Sequence, residues 1–190
     1  MLIDHETRTI GLKIVFFGPA MSGKTTAVKW LFEALGLAER LSSVENTLGR
    51  TMFFDFGTIP IPLGKDWTVN AQIWSATGQD YYSSTRSTVL MGTDGLVFVA
   101  DSNPTLMQEN LQSWRELMQM LPDDGTRIPV VVCLNKQDLP DAVSEETLRT
   151  SLNIEESVPV YRVVAKNGTN VAEAVHRVLQ DTIRDAISRV

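Results

Sequence analysis

The chain has 190 residues, with 17 Lys and Arg against 23 Asp and Glu and a net charge of −6. That length holds one domain with a sizeable core, and the acidic balance leaves no basic stripe to displace counterions from a nucleic acid. No apolar run is long enough to span a membrane, no signal-peptide pattern opens the sequence, and no repeat or low-complexity stretch interrupts it.

Apolar runs alternate with amphipathic stretches from end to end, which predicts an α/β sheet with helices on both faces. Leu12–Phe17 reads as a buried strand. The segment Gly18-Pro19-Ala20-Met21-Ser22-Gly23-Lys24-Thr25 follows it and fits G-x-x-x-x-G-K-S/T. Ala27, Val28, Leu31, Ala34 and Leu35 then recur at helical spacing. Strand, glycine turn and helix make this a phosphate-binding loop, in which inward N–H groups and the helix N-terminus attract a polyphosphate. Lys24 would reach the β and γ phosphates, and the Thr25 hydroxyl would take a magnesium ion. Ala20, Met21, Ser22 and Thr26 complete the candidate loop.

Gly36 marks the end of the helix, and Ala38–Gly49 reads as a loop. Strands at Thr51–Thr58 and Trp67–Trp74 are joined by the turn-rich stretch Pro60-Ile61-Pro62-Leu63-Gly64, an antiparallel hairpin. Phe53, Phe54 and Phe56 surround Asp55 on a strand expected at the sheet edge. With Tyr81 and Tyr82, an unpaired edge bearing exposed aromatics would be a partner site. Ser75 to about Ser87 is polar, and Gly95–Ala100 is a short buried strand.

Asn103 is an N-cap with Pro104 at the first helical position. Leu111, Trp114, Leu117, Met118 and Leu121 form the next apolar stripe, and Pro122-Asp123-Asp124-Gly125 ends it. Val130–Leu134 is a strand holding the sole cysteine, Cys133, read as a buried structural thiol suited to a reducing cytoplasm. Ser144 caps a short helix, Val158–Val164 is the last strand, and the final helix opens at Asn170 and buries Val171, Val175, Val178, Leu179 and Ile183. His5 and His176 carry no evident chemistry, and no His/Cys cluster suggests zinc.

Asn135-Lys136-Gln137-Asp138 lies directly after a strand, at the carboxyl edge where open α/β sheets bind ligands. The Asp138 carboxylate can accept from both N1–H and the 2-amino group of guanine. Adenine offers neither donor and would leave that charge desolvated and unpaired, so the motif selects GTP and GDP. Asn135 would tie this loop to the phosphate loop, and the Lys136 stem would lie over the ring. Ala165, before Lys166, can offer its N–H to the guanine O6.

On these residues, and on Leu48–Phe56, Thr77-Gly78-Gln79 and Val97–Ser102, the chain resembles the Ras-like small GTPases over nearly its whole length, and more narrowly the MglA group of bacterial and archaeal polarity GTPases. The resemblance implies one G domain over residues 1–190, a P-loop NTPase fold. Its six-stranded mixed sheet would have one antiparallel edge strand, and an added strand around Arg8–Gly11 is open. It implies that Thr51 closes on the metal, with Thr47 as an alternative from the same loop. Gln79 would orient the attacking water, and the Gly78 N–H would approach the γ-phosphate. Arg50 would act as an internal arginine finger, with an ordinary solvated loop arginine as the rival reading.

The segment departs from most Ras-like proteins at Ser75, where an aspartate usually supports magnesium; Asp55 on the adjacent strand could supply the carboxylate instead. Ala20 stands where many relatives have glycine, and its methyl would crowd Gln79, so slow intrinsic hydrolysis is expected. Val164 replaces a serine that often supports the base loop. The function expected is a GTP/GDP switch with magnesium, activated by a roadblock/longin-type regulator and acting in polarity or motility. A non-hydrolysing GTP-binding scaffold is the alternative, and a P-loop kinase a weaker one. Leu2 and the ending Ser188-Arg189-Val190 fit no lipidation motif, so any membrane visit is expected to go through a partner.

Overall fold

The computed structural model describes residues 1–45, 51–76, 83–122 and 128–188, and the side chains of 43–45, 51–54, 83–85 and 186–188 are set aside. Its strands are β1 (Leu2–Asp4), β2 (Thr9–Phe17), β3 (Leu41–Glu45), β4 (Thr51–Leu63), β5 (Trp67–Ala76), β6 (Gly95–Asp101), β7 (Val130–Asn135) and β8 (Val160–Arg162). Helices are α1 (Lys24–Ala34), α2 (Ser83–Leu90), α3 (Met107–Met120), α4 (Glu145–Leu152) and α5 (Val171–Ser188). They form one sheet in the order β3-β4-β5-β2-β6-β7-β8, with β1 paired to β2.

The central strand β2 explains the layering. Ile14 and Phe16 point into the core under α1 and α5, while Val15 and Phe17 point into the core under α2, α3 and α4. A strand covered on both faces reads as a near-continuous apolar run rather than an alternating one, which is why Leu12–Phe17, broken only by Lys13, was legible. Parallel pairing of β2 with β5 and β6 brings the carboxyl ends of these strands to one rim of the sheet. β6 and β7 continue that arrangement, and their last pair is Asp101 with Asn135.

Among the described residues the sheet has eight strands rather than six. The segment expected as a loop over Ala38–Gly49 contains a 3-10 turn, Ala38–Arg40, and then β3. β3 pairs antiparallel with β4 from Leu41 opposite Gly57 to Glu45 opposite Thr51, so the aromatic strand is not the edge at Asp55 and Phe56. The added strand is Leu2–Asp4, whereas Arg8–Gly11 leads into β2. The proline stretch is strand as well: β4 continues through Pro60 and Pro62 to Leu63, and the turn is made by Gly64, φ 66, with Lys65 and Asp66. Prolines at alternate positions remove donors from one edge only. They lie beyond the reach of β3, where they blunt an edge that would otherwise be open for pairing.

Ser144 caps α4 as expected, accepting from the Thr147 N–H, whereas Asn103 accepts from the Thr105 N–H and caps the 3-10 turn Pro104–Leu106; α3 itself opens at Met107 without a side-chain cap. α5 buries Val171, Ala174, Val175, Val178 and Leu179 against the sheet. Cys133 is buried, and burial pushes its thiol up to about 12, so it is an inert core residue.

Candidate nucleotide site

Phe17 ends β2 and Lys24 opens α1, so the phosphate loop spans the gap between them at the carboxyl rim. Its path requires three residues in the left-handed region: Gly18 at φ 145, Met21 at φ 60 and Gly23 at φ 100. The two glycines are also positions of contact. A Cβ on Gly18 would lie 2.2 Å from the Val99 carbonyl oxygen, and one on Gly23 would lie 2.1 Å from Asn135 Nδ2. Helix α1 has no side-chain cap, which leaves its leading N–H groups directed at the loop.

Lys24 folds back under the loop. Its Nζ donates to the carbonyls of Gly18 and Pro19 at 2.9 and 2.7 Å, and the residue is 6% exposed. Burial pushes this ammonium down to about 7; the Arg86 cation adds to the shift and the Asp55 carboxylate opposes part of it. Ser22 is fully buried, and its Oγ has no partner among the described residues. A buried cation answered by neutral carbonyls, beside a glycine cradle that any Cβ would fill, fits an anion such as a polyphosphate.

Thr25 donates its hydroxyl to Asp55 Oδ2 at 2.6 Å. Asp55 is fully buried and sits directly across the β4–β5 pair from Ser75. Because β4 runs antiparallel, its early residues reach the same rim as the end of β5. Opposed residues share a face, so the carboxylate occupies the ground beside the serine that replaces the expected aspartate. Ser75 Oγ is itself buried without a partner among the described residues. A hydroxyl and a carboxylate, both oxygen donors, suit a hard divalent cation completed by phosphate oxygens and water. Among the described residues no three His, Cys, Asp or Glu side chains gather to hold a metal by themselves.

The second loop is tied to the first through Asn135. Its Nδ2 donates to the Ser22 carbonyl at 2.7 Å, and its Oδ1 accepts the Ala165 N–H at 2.9 Å. One amide therefore joins the phosphate loop, the end of β7 and the segment after β8. The Ala165 N–H expected to serve guanine O6 therefore donates to the Asn135 side chain in this structure. Lys136, in the left-handed region at φ 67, extends to Asp101, with Nζ 2.5 Å from Oδ2. Gln137 donates to Ser102 Oγ at 2.6 Å and accepts from Arg162 Nε at 2.6 Å. Asp138, Lys166, Ala20, Met21 and Thr26 are exposed around the mouth.

Arg50, Thr47, Gly78, Gln79, Tyr81 and Tyr82 lie outside the described residues, and Thr51 is described only as backbone at the start of β4. The sequence reading missed Asp101, Asn110, Arg86 and Trp30. Arg86 is 5% exposed and pairs with Glu116 of α3, beside Pro19 and Ala20. A carboxylate closing a wholly apolar strand, as Asp101 closes β6, was the available signal: such a charge is kept at the rim only with a partner.

A family model described as the ADP-ribosylation factor family matches residues 2–183. The mutual gliding-motility protein MglA of Myxococcus xanthus (strain DK1622) is 36% identical over 183 residues, covering 93% of this chain and 92% of that protein. The Ras-related protein RABG3f of Arabidopsis thaliana is 30% identical over 188 residues, covering 96% of this chain and 86% of that protein. The Ras-related protein Rab7 of Pisum sativum is 29% identical over 188 residues, with the same coverage of 96% and 86%.

Proposed function

Since the chain belongs to the Arf/Ras-like small GTPase family, we propose that it is a GTP/GDP switch that hydrolyses GTP slowly, is accelerated by a partner protein, and acts in cell polarity or motility. The observation that carries this reading is the Asn135 amide, which locks a phosphate cradle with a buried lysine to a loop that presents Asp138 for a purine. Guanine supplies the two donors that Asp138 needs, and adenine supplies neither.

Lys24 grips the β and γ phosphates by exchanging the Gly18 and Pro19 carbonyls for charged oxygens. The Ala165 N–H, with that of Lys166 next along the loop, is the backbone donor offered to guanine O6. Thr25 and Asp55 would hold a magnesium ion, with Thr51 as the switch residue that would join them. When bound, the ion neutralises charge on the phosphate oxygens. Gln79 orients water, the Gly78 N–H meets the γ-phosphate, and Arg50 enters the site when a roadblock/longin-type regulator reshapes its loop. A cation placed there is worth about 10³–10⁵ in rate. The exposed methyl of Ala20 crowds that space and keeps the unaided rate low.

Similarity to the mutual gliding-motility protein of Myxococcus supports the motility role, and the resemblance to the polarity GTPases supports the polarity role. No helix among the described residues is long and apolar enough to cross a membrane, and a cytoplasmic location with recruitment through partners fits the sequence. The decisive measurement is the nucleotide that co-purifies, followed by competition of ATP against GTP. Equal retention of both, or of neither, overturns the reading. A scaffold that binds GTP without hydrolysis is favoured by Ser75 in place of the usual carboxylate; absence of phosphate release in single turnover, with and without a regulator, would select it.

A further inference from the structure

The geometry points to Asp101 as a positioning residue of the purine loop: its buried carboxylate holds Lys136 and thereby sets how long a guanine nucleotide stays bound. This rests on the nucleotide-binding reading above.

Strand β6 is buried along its whole length and ends on Asp101, which is fully buried. A carboxylate there costs several kcal/mol unless both oxygens are satisfied. They are. Oδ2 takes Lys136 Nζ at 2.5 Å, and Oδ1 accepts the Asn103 N–H at 3.0 Å. The backbone of Asp101 is clasped from α3: the Asn110 side chain donates to its carbonyl at 2.8 Å and accepts its N–H at 2.9 Å. Asn110 is itself fully buried, so the aspartate has little room to shift.

What this holds is a strained turn. Lys136 lies at φ 67, where a non-glycine residue persists only if its surroundings over-determine it. Asn135 pins the turn from one side through Ser22 and Ala165, and Asp101 pins it from the other through the lysine. Asp138, two residues on, is exposed and takes its position from this turn. Releasing Lys136 lets the turn relax and moves the Asp138 carboxylate away from N1–H and the 2-amino group. Nucleotide release should quicken, and preference for the 2-amino group should fall with it.

The test uses wild type, Asp101→Asn, Lys136→Met and the double variant, loaded with fluorescent GDP and chased with unlabelled GDP or inosine diphosphate. Asp101→Asn is expected to speed release about tenfold and to reduce the preference for GDP over inosine diphosphate about threefold. Lys136→Met should add little in the double variant, because both changes break the same contact. Unchanged release in Asp101→Asn, an unaltered preference, or multiplying effects in the double variant would overturn the proposal. Should Asp101→Asn fail to melt cooperatively, Asn110→Ala replaces it, and unchanged release there overturns the idea equally. A wild-type protein that binds no GDP fails before any substitution and refutes the nucleotide reading itself.

Discussion

Thr25 and Asp55 meet at 2.6 Å, hydroxyl to carboxylate, joining the first turn of α1 to the early part of β4. The position opposite Asp55 on β5 is Ser75, buried and on the same face. The carboxylate that Ras-like proteins usually carry on one strand is therefore available from its cross-strand neighbour.

If Asp55 supports the metal, Asp55→Ala should weaken magnesium-dependent GTP binding by about 10–100-fold. Ser75→Asp in that background should recover part of the loss, because it returns a carboxylate to the opposed position. Nucleotide release measured with magnesium and with a chelator reads both; equal release in the two conditions for wild type would exclude a role for the ion.

Lys24 predicts a pH linkage. Its folded value of about 7 lies below the ordinary 10.5. Between those values the unfolded chain holds a proton that the nucleotide-free fold does not, so stability of that form rises as pH increases from about 7 towards 10.5 and falls on acidification. Polyphosphate supplies the missing counter-charge and restores the ammonium. Binding of GDP at pH values above that midpoint should therefore take up protons and weaken as pH rises. Calorimetric heats in two buffers of different ionisation enthalpy would differ; identical heats would contradict the assignment.

Gly23→Ala should abolish tight nucleotide binding. The new methyl meets Asn135 Nδ2 at 2.1 Å, and the backbone sits at φ 100, so the amide bridge and the loop cannot both survive. Backbone strain alone costs about 1–3 kcal/mol. Gly36→Ala, at φ 68 but with nothing within 4 Å of its Cβ, is the control that carries strain without the clash. Comparable GDP affinity in the two variants would show that the Asn135 contact is dispensable.

Trp30 braces the base loop from α1. A Cβ on Gly168 would fall 1.8 Å from the indole, so ring and loop backbone are in direct contact just after Ala165 and Lys166. Trp30→Ala should destabilise the protein by about 1–3 kcal/mol. For a chain of this size that lowers the melting midpoint by about 2–4 °C per kcal/mol. It should also speed GDP release. A lower midpoint with unchanged release would restrict Trp30 to core packing.

The layered arrangement, the hairpin, the Ser144 cap and the glycine turn after β2 were readable because each rests on local chemistry: an apolar run, a capping side chain, glycines in a tight turn. β3 escaped notice because Leu-Ser-Ser-Val-Glu has no alternation and becomes a strand only where β4 offers it an edge. Pro60 and Pro62 suggested a turn for a similar reason. Their effect depends on which edge of the strand they face, and that is a property of the sheet. That the Ala165 N–H lies beside the Asn135 side chain, 30 residues away, is likewise a property of the fold and not of either local stretch.

By itself the sequence determined the glycine turn after β2, the loop after β7 and the layered α/β scaffold, since backbone freedom at Gly18 and Gly23 and the apolar runs of the strands are set within a few residues. Tertiary structure alone decided which polar groups meet. Thr25 and Asp55 stand 30 residues apart, and Lys136 and Asp101 stand 35 apart. Strand order and register bring each pair together at one rim, and no short stretch of chain encodes where a neighbouring strand will lie.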